Sequence, residues 1–219
     1  MNLPDTRLER LPLFPLADVY LFPGAIMPLH LFEPRYIALL KHSLEQADRA
    51  LAIGCLVPGF EADYLGRPPV RPILGGGTIL AARETPQQTW NIIVRGSDRL
   101  QLVEEHPPEH SFREIRVRRL PPPAPLTDEA HYRTLRLLVA RIALAAPPAR
   151  EAIDLVLGQA HDAATLVYLL AAHIIGDPQS RRAILEAGAL DDQLSIASEA
   201  IGRLLLEVGT RGEGGGTLH

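Results

Sequence analysis

Apolar residues crowd the start of the chain between Leu11 and Tyr36, but prolines divide them into short pieces. These prolines are Pro12, Pro15, Pro23, Pro28 and Pro34. Each one lacks an N–H group and disfavours the helical conformation of the residue before it. A membrane-spanning helix needs a long apolar run without such interruptions. The pattern therefore predicts short extended segments with a turn at Pro23 and Gly24, followed by a helix that begins at Pro34.

Strand signals continue as far as Leu120, with apolar and polar residues alternating in several places. Strands are predicted at residues 51–57, 73–82, 90–95, 99–104 and 112–120. The run Gly75–Gly77 predicts a bulge in the second of these strands, and residues 96–98 are predicted to form a turn. One helix interrupts the strands between Pro34 and about Ala47, because apolar residues recur there at helical spacing.

The pattern changes after the proline-rich segment 121–126, which cannot continue a sheet. Apolar residues then recur with the helical period. The candidate helix-starting residues are Thr127 and Asp128, Pro147 and Pro148, Asp162, Asp177 and Asp191. Glycines at 176, 188 and 209 are the predicted helix ends. We therefore predict an α+β chain with a loosely held tail (1–10), a mostly β domain (11–120), a linker (121–126), a helical domain (127–209) and a flexible glycine-rich tail (210–219).

The opening segment resembles the entry signature of the Lon protease N-terminal domain, also called the Lon substrate-binding domain. The resemblance is carried by Leu-Pro-Leu-Phe-Pro-Leu from Leu11, Leu-Phe-Pro-Gly from Leu21, and Pro-Leu-His-Leu-Phe-Glu-Pro-Arg-Tyr from Pro28. It implies a PUA-like mixed β-barrel, or pseudobarrel, with one inserted helix, followed by a C-terminal helical bundle. It also implies a non-catalytic module that recognises protein or unfolded polypeptide segments. A stand-alone member of the family is expected, since the chain carries no ATPase or serine–lysine peptidase motif.

Composition changes this picture little. The formal net charge of −4 gives no general attraction to nucleic acid or to acidic membranes. The single cysteine, Cys55, fits a reducing compartment, and no secretion signal precedes the apolar segment, so we expect a cytoplasmic protein. The oligomeric state is not predicted.

Catalytic, metal and cofactor sites are not expected. Gly75–Thr78 is not followed by the lysine that a phosphate-binding loop requires. Cys55 lies in an alternating apolar strand, where a thiol is usually buried and unreactive. The eight histidines show no spacing typical of a zinc site.

Candidate partner-binding residues are Phe22, Met27, Arg116 and Arg118. Leu21–Phe22 and Ile26–Met27 are apolar pairs that could line a groove, although core packing is the favoured interpretation for most of them. Arg116 and Arg118 are predicted to share the outward face of one strand, opposite Ile115 and Val117. A solvated face or an acidic protein partner is favoured there.

RNA binding by a PUA-like barrel is the alternative at that strand, and a small-ligand protein or an enzyme of unknown reaction is another. Aromatic residues for base stacking are few, which makes nucleic acid the less favoured partner. For Glu33 and Arg35, at the start of the first helix, a structural role is favoured over contact with a partner, and Arg35 is expected to pair with a carboxylate elsewhere.

Overall fold

The computed structural model describes residues 2–213 of the chain, with side chains described as far as residue 208. It divides into two compact units, one ending at Pro121 and the other beginning at Pro122. Within the described residues, no helix is both long enough and apolar enough to cross a membrane.

The first unit contains a six-stranded sheet and one α-helix within residues 2–121. Its elements are β1 (Leu11–Leu16), β2 (Ile26–Leu31), α1 (Pro34–Glu45), β3 (Ala50–Cys55), β4 (Ile73–Glu84), β5 (Trp90–Glu105) and β6 (Arg113–Arg119). Short 3-10 helices lie at Asp5–Arg7 and Phe60–Asp63. The predicted turn before β2 is confirmed, since the Ala25 N–H donates to the Phe22 carbonyl at 3.1 Å and Gly24 has a φ of 82°.

The sheet closes on itself. Its strand order is β2-β5-β4-β3-β1-β6, and β6 pairs again with β5, so that β2 alone lies outside the ring. β1 and β3 are parallel, whereas the other pairs are antiparallel. Together with the inserted helix α1, this arrangement confirms the predicted α+β class and mixed β-barrel.

Closure depends on the length of β5, which runs without interruption where two strands and a turn were predicted. That prediction is wrong, because residues 96–98 form a bulge: Gly76 pairs with Asp98 and Gly77 with Gly96, which leaves Ser97 as the extra residue. A Cβ atom on Gly96 would lie 2.0 Å from the Phe22 carbonyl oxygen. Glycine therefore lets the preceding loop approach the bend closely.

The N-terminal residues are held more firmly than predicted. Leu3 is buried in the core together with Leu11, Leu74 and Leu100, so the expectation of a loosely held segment is wrong. A second core cluster lies beneath α1, where Tyr36, Leu39 and Leu40 are buried as their spacing predicts.

The second unit is helical, with α2 (Glu129–Ala145), α3 (Arg150–Gln159), α4 (Ala163–His173), α5 (Pro178–Glu186) and α6 (Leu190–Glu213). Asp128, Asp162 and Asp177 cap α2, α4 and α5 as predicted, each accepting from a backbone N–H of the first turn. Asp191 instead lies inside α6 and accepts from the N–H and hydroxyl of Thr127 at 3.0 and 2.7 Å.

Two helix ends differ from prediction. α4 ends at His173, before Gly176, and α6 continues beyond Gly209 to Glu213. The remainder of the predicted flexible tail, 214–219, lies outside the described residues. Ala124, in the predicted linker, is bonded to the helical unit, because its N–H donates to Gly188 and its carbonyl accepts from Leu190.

Candidate functional site

Two surfaces of the first unit have features of a binding site. One is the outer face of the sheet formed by β2, β4 and the first half of β5. The other is a cleft beside the first turn of α1.

The first surface is named here the outer sheet face. It contains three residue pairs between β2 and β5: Ile26 with Arg95, Pro28 with Ile93, and His30 with Asn91. Ala81 and Arg83 of β4 lie on the other side of β5. All eight side chains are exposed, whereas the alternate residues of β2 and β5 are buried or half-buried, namely Met27, Leu29, Ile92 and Val94. This is the alternation expected of a sheet with one solvated face.

The centre of the outer sheet face is apolar. Ile26 is 39% exposed and Ile93 is 40% exposed, with Pro28 opposite Ile93. Next to the face, Leu80 lies in a bulge of β4 and is 42% exposed, and Phe32 after β2 is 64% exposed. Contiguous exposed apolar groups of this kind are typical of surfaces that bind other proteins.

One edge of this surface is the open edge of β2, which among the described strands pairs only with β5. The Ala25 carbonyl accepts from Gly96 at 2.9 Å. By strand alternation, Ile26, Pro28 and His30 then direct their backbone groups away from β5. Pro28 has no N–H to offer in the middle of that edge, so an added strand could not form a complete ladder. The geometry favours side-chain burial on the face over strand addition.

The predicted groove residues Phe22 and Met27 do not line this surface. Phe22 is fully buried, since its loop packs against the bend of β5, and it is not available to a partner. Met27 is opposite Val94 on the inward side of β2 and packs on the core. Both residues fit the core packing that was the favoured interpretation of these apolar pairs, and Ile26 and Pro28, the neighbours of Met27, carry the exposed positions.

The arginines of β6 are arranged as predicted but are largely paired. Ile115 and Val117 are buried, and Arg116 and Arg118 lie on the opposite face. Arg116 donates to Glu104 at 2.9 Å, which lowers the pKa of that carboxyl, and Arg118 donates to Gln101 at 2.5 Å. The two outward-facing arginines are therefore balanced by acceptors on β5.

The second surface, the arginine cleft, opens where β1 and β6 separate. The two strands pair only as far as Leu13 and Arg113, and beyond this point the 64–68 segment and the start of α1 form the walls. The cleft has a volume of about 180 Å³. Its rings are Tyr36, Tyr64, His110 and Phe112, and its cations are Arg35, Arg67 and Arg113.

Arg35 is fixed in the wall by its neighbours. Its Nε atom donates to Glu33 at 2.9 Å and its Nη1 atom donates to the Tyr64 carbonyl at 3.0 Å. Its guanidinium carbon lies 4.7 Å from the ring centre of Tyr36 and 4.8 Å from that of Tyr64, within the range of cation–π contacts. The expectation of a distant carboxylate partner for Arg35 is wrong, because the partner is Glu33 itself.

The two tyrosines remain protonated at neutral pH. The Tyr64 hydroxyl donates to Glu33 at 2.5 Å, and this bond raises the pKa of Tyr64. Burial raises the pKa of Tyr36, whose ring packs 4.4 Å from that of Phe14. Both rings thus act as neutral, aromatic walls.

The other two arginines share one carboxylate. Arg113 makes two bonds to Glu105, at 2.9 and 2.6 Å, and a third to the Pro68 carbonyl at 2.8 Å. Arg67 donates to the His106 carbonyl at 2.9 Å and lies 3.1 Å from the same carboxylate. The side chain of Arg67 is 34% exposed, against 9% for Arg113. Arg67 is therefore the more accessible of the two.

The sequence pattern did not bring these residues together, since they come from four separated segments. For Arg113 the sequence did contain a signal. Strand alternation places this residue on the same inward face as Ile115 and Val117, where a charged side chain needs a buried partner. No such signal pointed to Tyr64 or Arg67. Among the described residues, no three His, Cys, Asp or Glu side chains converge as metal ligands.

Comparison with known proteins gives a consistent result. The sequence model of the family described as ATP-dependent protease La (LON) substrate-binding domain matches residues 10–203. Lon protease 2 of Desulfotalea psychrophila is 24% identical over 196 residues, which cover 89% of this chain and 25% of that protein. The chain thus spans about a quarter of the length of this curated relative.

Two solved structures share the fold. The N-terminal domain of Mycobacterium avium complex Lon protease has a TM-score of 0.70 and 17% identity, covering 89% of this chain and 98% of that one. A Lon N-terminal domain protein from Xanthomonas campestris has a TM-score of 0.62 and 19% identity, covering 85% and 95%.

Proposed function

Because the chain belongs to the family of the ATP-dependent protease La (LON) substrate-binding domain, we propose that it is a non-catalytic module that binds exposed apolar segments of polypeptides. The observation that carries the proposal is the outer sheet face. There Ile26, Pro28 and Ile93 form an apolar centre that faces solvent.

The proposed binding uses the burial of apolar side chains. Unfolded polypeptides expose the side chains that a folded protein buries, and a flat apolar face can accept many such sequences. Arg83 and Arg95 on the same face keep it soluble and can contact carboxylates beside an apolar segment. Pro28 limits strand addition at the edge, which protects the module from pairing with other edges.

RNA binding is the alternative function, and the side-chain pairs of β6 weigh against it. Arg116 and Arg118 are bonded to β5, so phosphate contacts would have to compete with Glu104 and Gln101. An RNA site would also need exposed rings for base stacking beside these cations.

The test is fluorescence anisotropy of a labelled, permanently unfolded polypeptide titrated with the protein. Saturable binding is expected, and it should change little between about 0.05 and 0.2 M salt, where phosphate-driven binding falls steeply. A double variant, Ile26→Thr with Ile93→Thr, should raise the Kd about thirtyfold, since each side chain contributes about 1 kcal/mol of apolar burial. Threonine preserves the preference for a strand.

The matched control is Leu137→Gln with Leu155→Gln, which removes two exposed leucines, 67% and 60% exposed, from the helical unit. Its Kd should stay within about twofold of the parent protein, because these helical positions lie outside the proposed surface. Equal weakening by both double variants, or no effect of the first, would contradict the proposal.

A further inference from the structure

We propose that the arginine cleft binds the C-terminal residue of a polypeptide, with the carboxylate on Arg67 and the terminal side chain against the rings. The proposal rests on the function proposed above, since it names the part of the polypeptide that this second surface recognises. The arginine cleft is a separate surface from the outer sheet face, which is proposed to bind internal apolar segments.

The size of the cleft fits one residue. Its volume of about 180 Å³ lies below the range of pockets for larger organic ligands, roughly 300–1,000 Å³. Cavities of about 150 Å³ accept a benzene molecule. The cleft therefore has room for one aromatic or aliphatic side chain with its terminal carboxylate.

Charge favours a single anionic group. Three arginines line the cleft, and among its described lining residues there is no carboxylate. Glu33 and Glu105 hold the guanidinium groups in place through the bonds described above. Glu114, which lies 3.7 Å from His110, is paired with Arg10 at 3.3 Å, so one cation of the cleft remains in excess. Asp63 lies beside Gly66 at the rim and is exposed, so water screens its charge. One excess cation suits a monoanionic carboxylate better than a dianionic phosphate.

The lining also suits an apolar side chain. Tyr36 and Phe112 are buried, and the ring of His110 stacks on Phe112 with centroids 4.8 Å apart and planes inclined by 7°. Leu13 and Leu56 contribute buried apolar groups to the same cleft. Carboxylate capture by a prepositioned arginine, with a side-chain pocket beside it, is a recurring way to bind a peptide C-terminus.

The experiment compares two peptides that differ in one charge. A fluorescently labelled peptide ending in phenylalanine is prepared as the free acid and as the C-terminal amide. The free acid should bind at least about tenfold more tightly, because a charge-assisted hydrogen bond is lost with the amide. In Arg67→Gln the difference should fall below about threefold.

Arg116→Gln is the matched control, since Arg116 is 39% exposed against 34% for Arg67 and also pairs with a glutamate. This variant should keep the preference of the parent protein for the free acid. An unfolding curve for each variant establishes that it is folded. The comparison of the two peptides uses the parent protein, so it tests the proposal even if a variant does not fold.

The outcomes separate the two proposals. If acid and amide bind equally while the unfolded polypeptide still binds through Ile26 and Ile93, the C-terminal proposal is wrong and the proposed function stands. If 3-phenylpropionate binds but the peptide acid does not, the cleft takes a free small carboxylate and the C-terminal proposal is again wrong. If neither the peptides nor the unfolded polypeptide bind, the proposed function itself fails.

Discussion

The two units of this chain use their polar side chains in different ways. In the β unit, the buried carboxylate of Asp98 accepts from the Leu3 N–H at 2.8 Å, from Ser97 at 2.6 Å and from Arg119 at 2.6 Å. It thereby joins the N-terminus to two strands. In the helical unit, carboxylates such as Asp177 bind backbone N–H groups only two or three residues away. Long-range polar contacts therefore hold the β unit together, whereas the polar contacts of the helical unit are largely local.

The largest effect that would test this comparison is the loss of Asp98. Asp98→Ala leaves the buried Leu3 N–H without its acceptor and Arg119 with only its bond to exposed Asp5 and the Leu3 carbonyl. We expect the free energy of unfolding to fall by about 3 kcal/mol, as for other broken buried pairs. The measurement is urea unfolding followed by the fluorescence of Trp90, the single tryptophan of the sequence, which lies in the β unit.

Asp5→Ala provides the control, because it removes the other carboxylate partner of the same arginine. The side chain of Asp5 is 83% exposed, against 1% for Asp98. The expected loss is below about 1 kcal/mol, since water replaces an exposed partner. Similar losses in the two variants would show that burial of Asp98 does not decide the strength of the contact.

The helical unit also contains a buried polar contact between separate helices, and this contact gives the second prediction. Gln193 of α6 is fully buried, and its side-chain amide donates to the carbonyls of Ile184 and Ala187 at 3.0 and 3.2 Å and to Tyr168 at 3.3 Å. Gln193→Ala should lower the free energy of unfolding by about 2 kcal/mol, because buried acceptors lose their donor. Far-ultraviolet circular dichroism during urea unfolding measures the change.

Gln159→Ala is the comparison for that variant, since Gln159 is an exposed glutamine in the same unit. It should change the free energy of unfolding by less than about 0.5 kcal/mol. If Gln193→Ala is equally mild, the buried long-range hydrogen bonds of Gln193 contribute little to the stability of the helical unit, unlike those of Asp98 in the β unit.

The same contrast explains what could be predicted from sequence. The caps at Asp128, Asp162 and Asp177 were predicted correctly, since a cap and the N–H groups it binds lie within one turn. The alternation of β6 also placed Arg116 and Arg118 correctly, because strand parity is a local property. Fold class followed from such local signals together with the opening motif.

Long-range features were predicted poorly, for a physical reason. Residues 96–98 read as a turn because glycine, serine and aspartate favour turns, but pairing with β4 on one side and β6 on the other keeps β5 continuous. The N-terminal residues were predicted to be loosely held because they are polar. That prediction failed because the acceptor for the Leu3 N–H is Asp98, which lies far along the chain. Arg67 and Tyr64 of the arginine cleft acquire their positions only through partners in other segments.

A smaller effect is expected at the caps themselves. Asp177→Ala removes the acceptor for the N–H groups of Gln179 and Ser180 and for the Ser180 hydroxyl. The free energy of unfolding should fall by about 1 kcal/mol, as is typical for an N-cap. Circular dichroism of the helical unit should report this loss, while the unfolding midpoint from Trp90 fluorescence gives the separate response of the β unit.

The smallest effect is the dependence of that cap on pH. Bonds from the Ser180 hydroxyl and from backbone N–H groups lower the pKa of Asp177 in the folded protein. The stabilisation by the charged cap is therefore fully present above the unfolded value of about 3.9 and is lost as the pH falls through the lowered folded value. Asp177→Asn keeps an acceptor but cannot ionise, so the difference in urea midpoint between it and the parent protein should be constant near neutral pH and shrink below about pH 4. A difference that stays constant down to about pH 2 would mean that the charge of Asp177 contributes nothing and that the cap acts as a neutral acceptor.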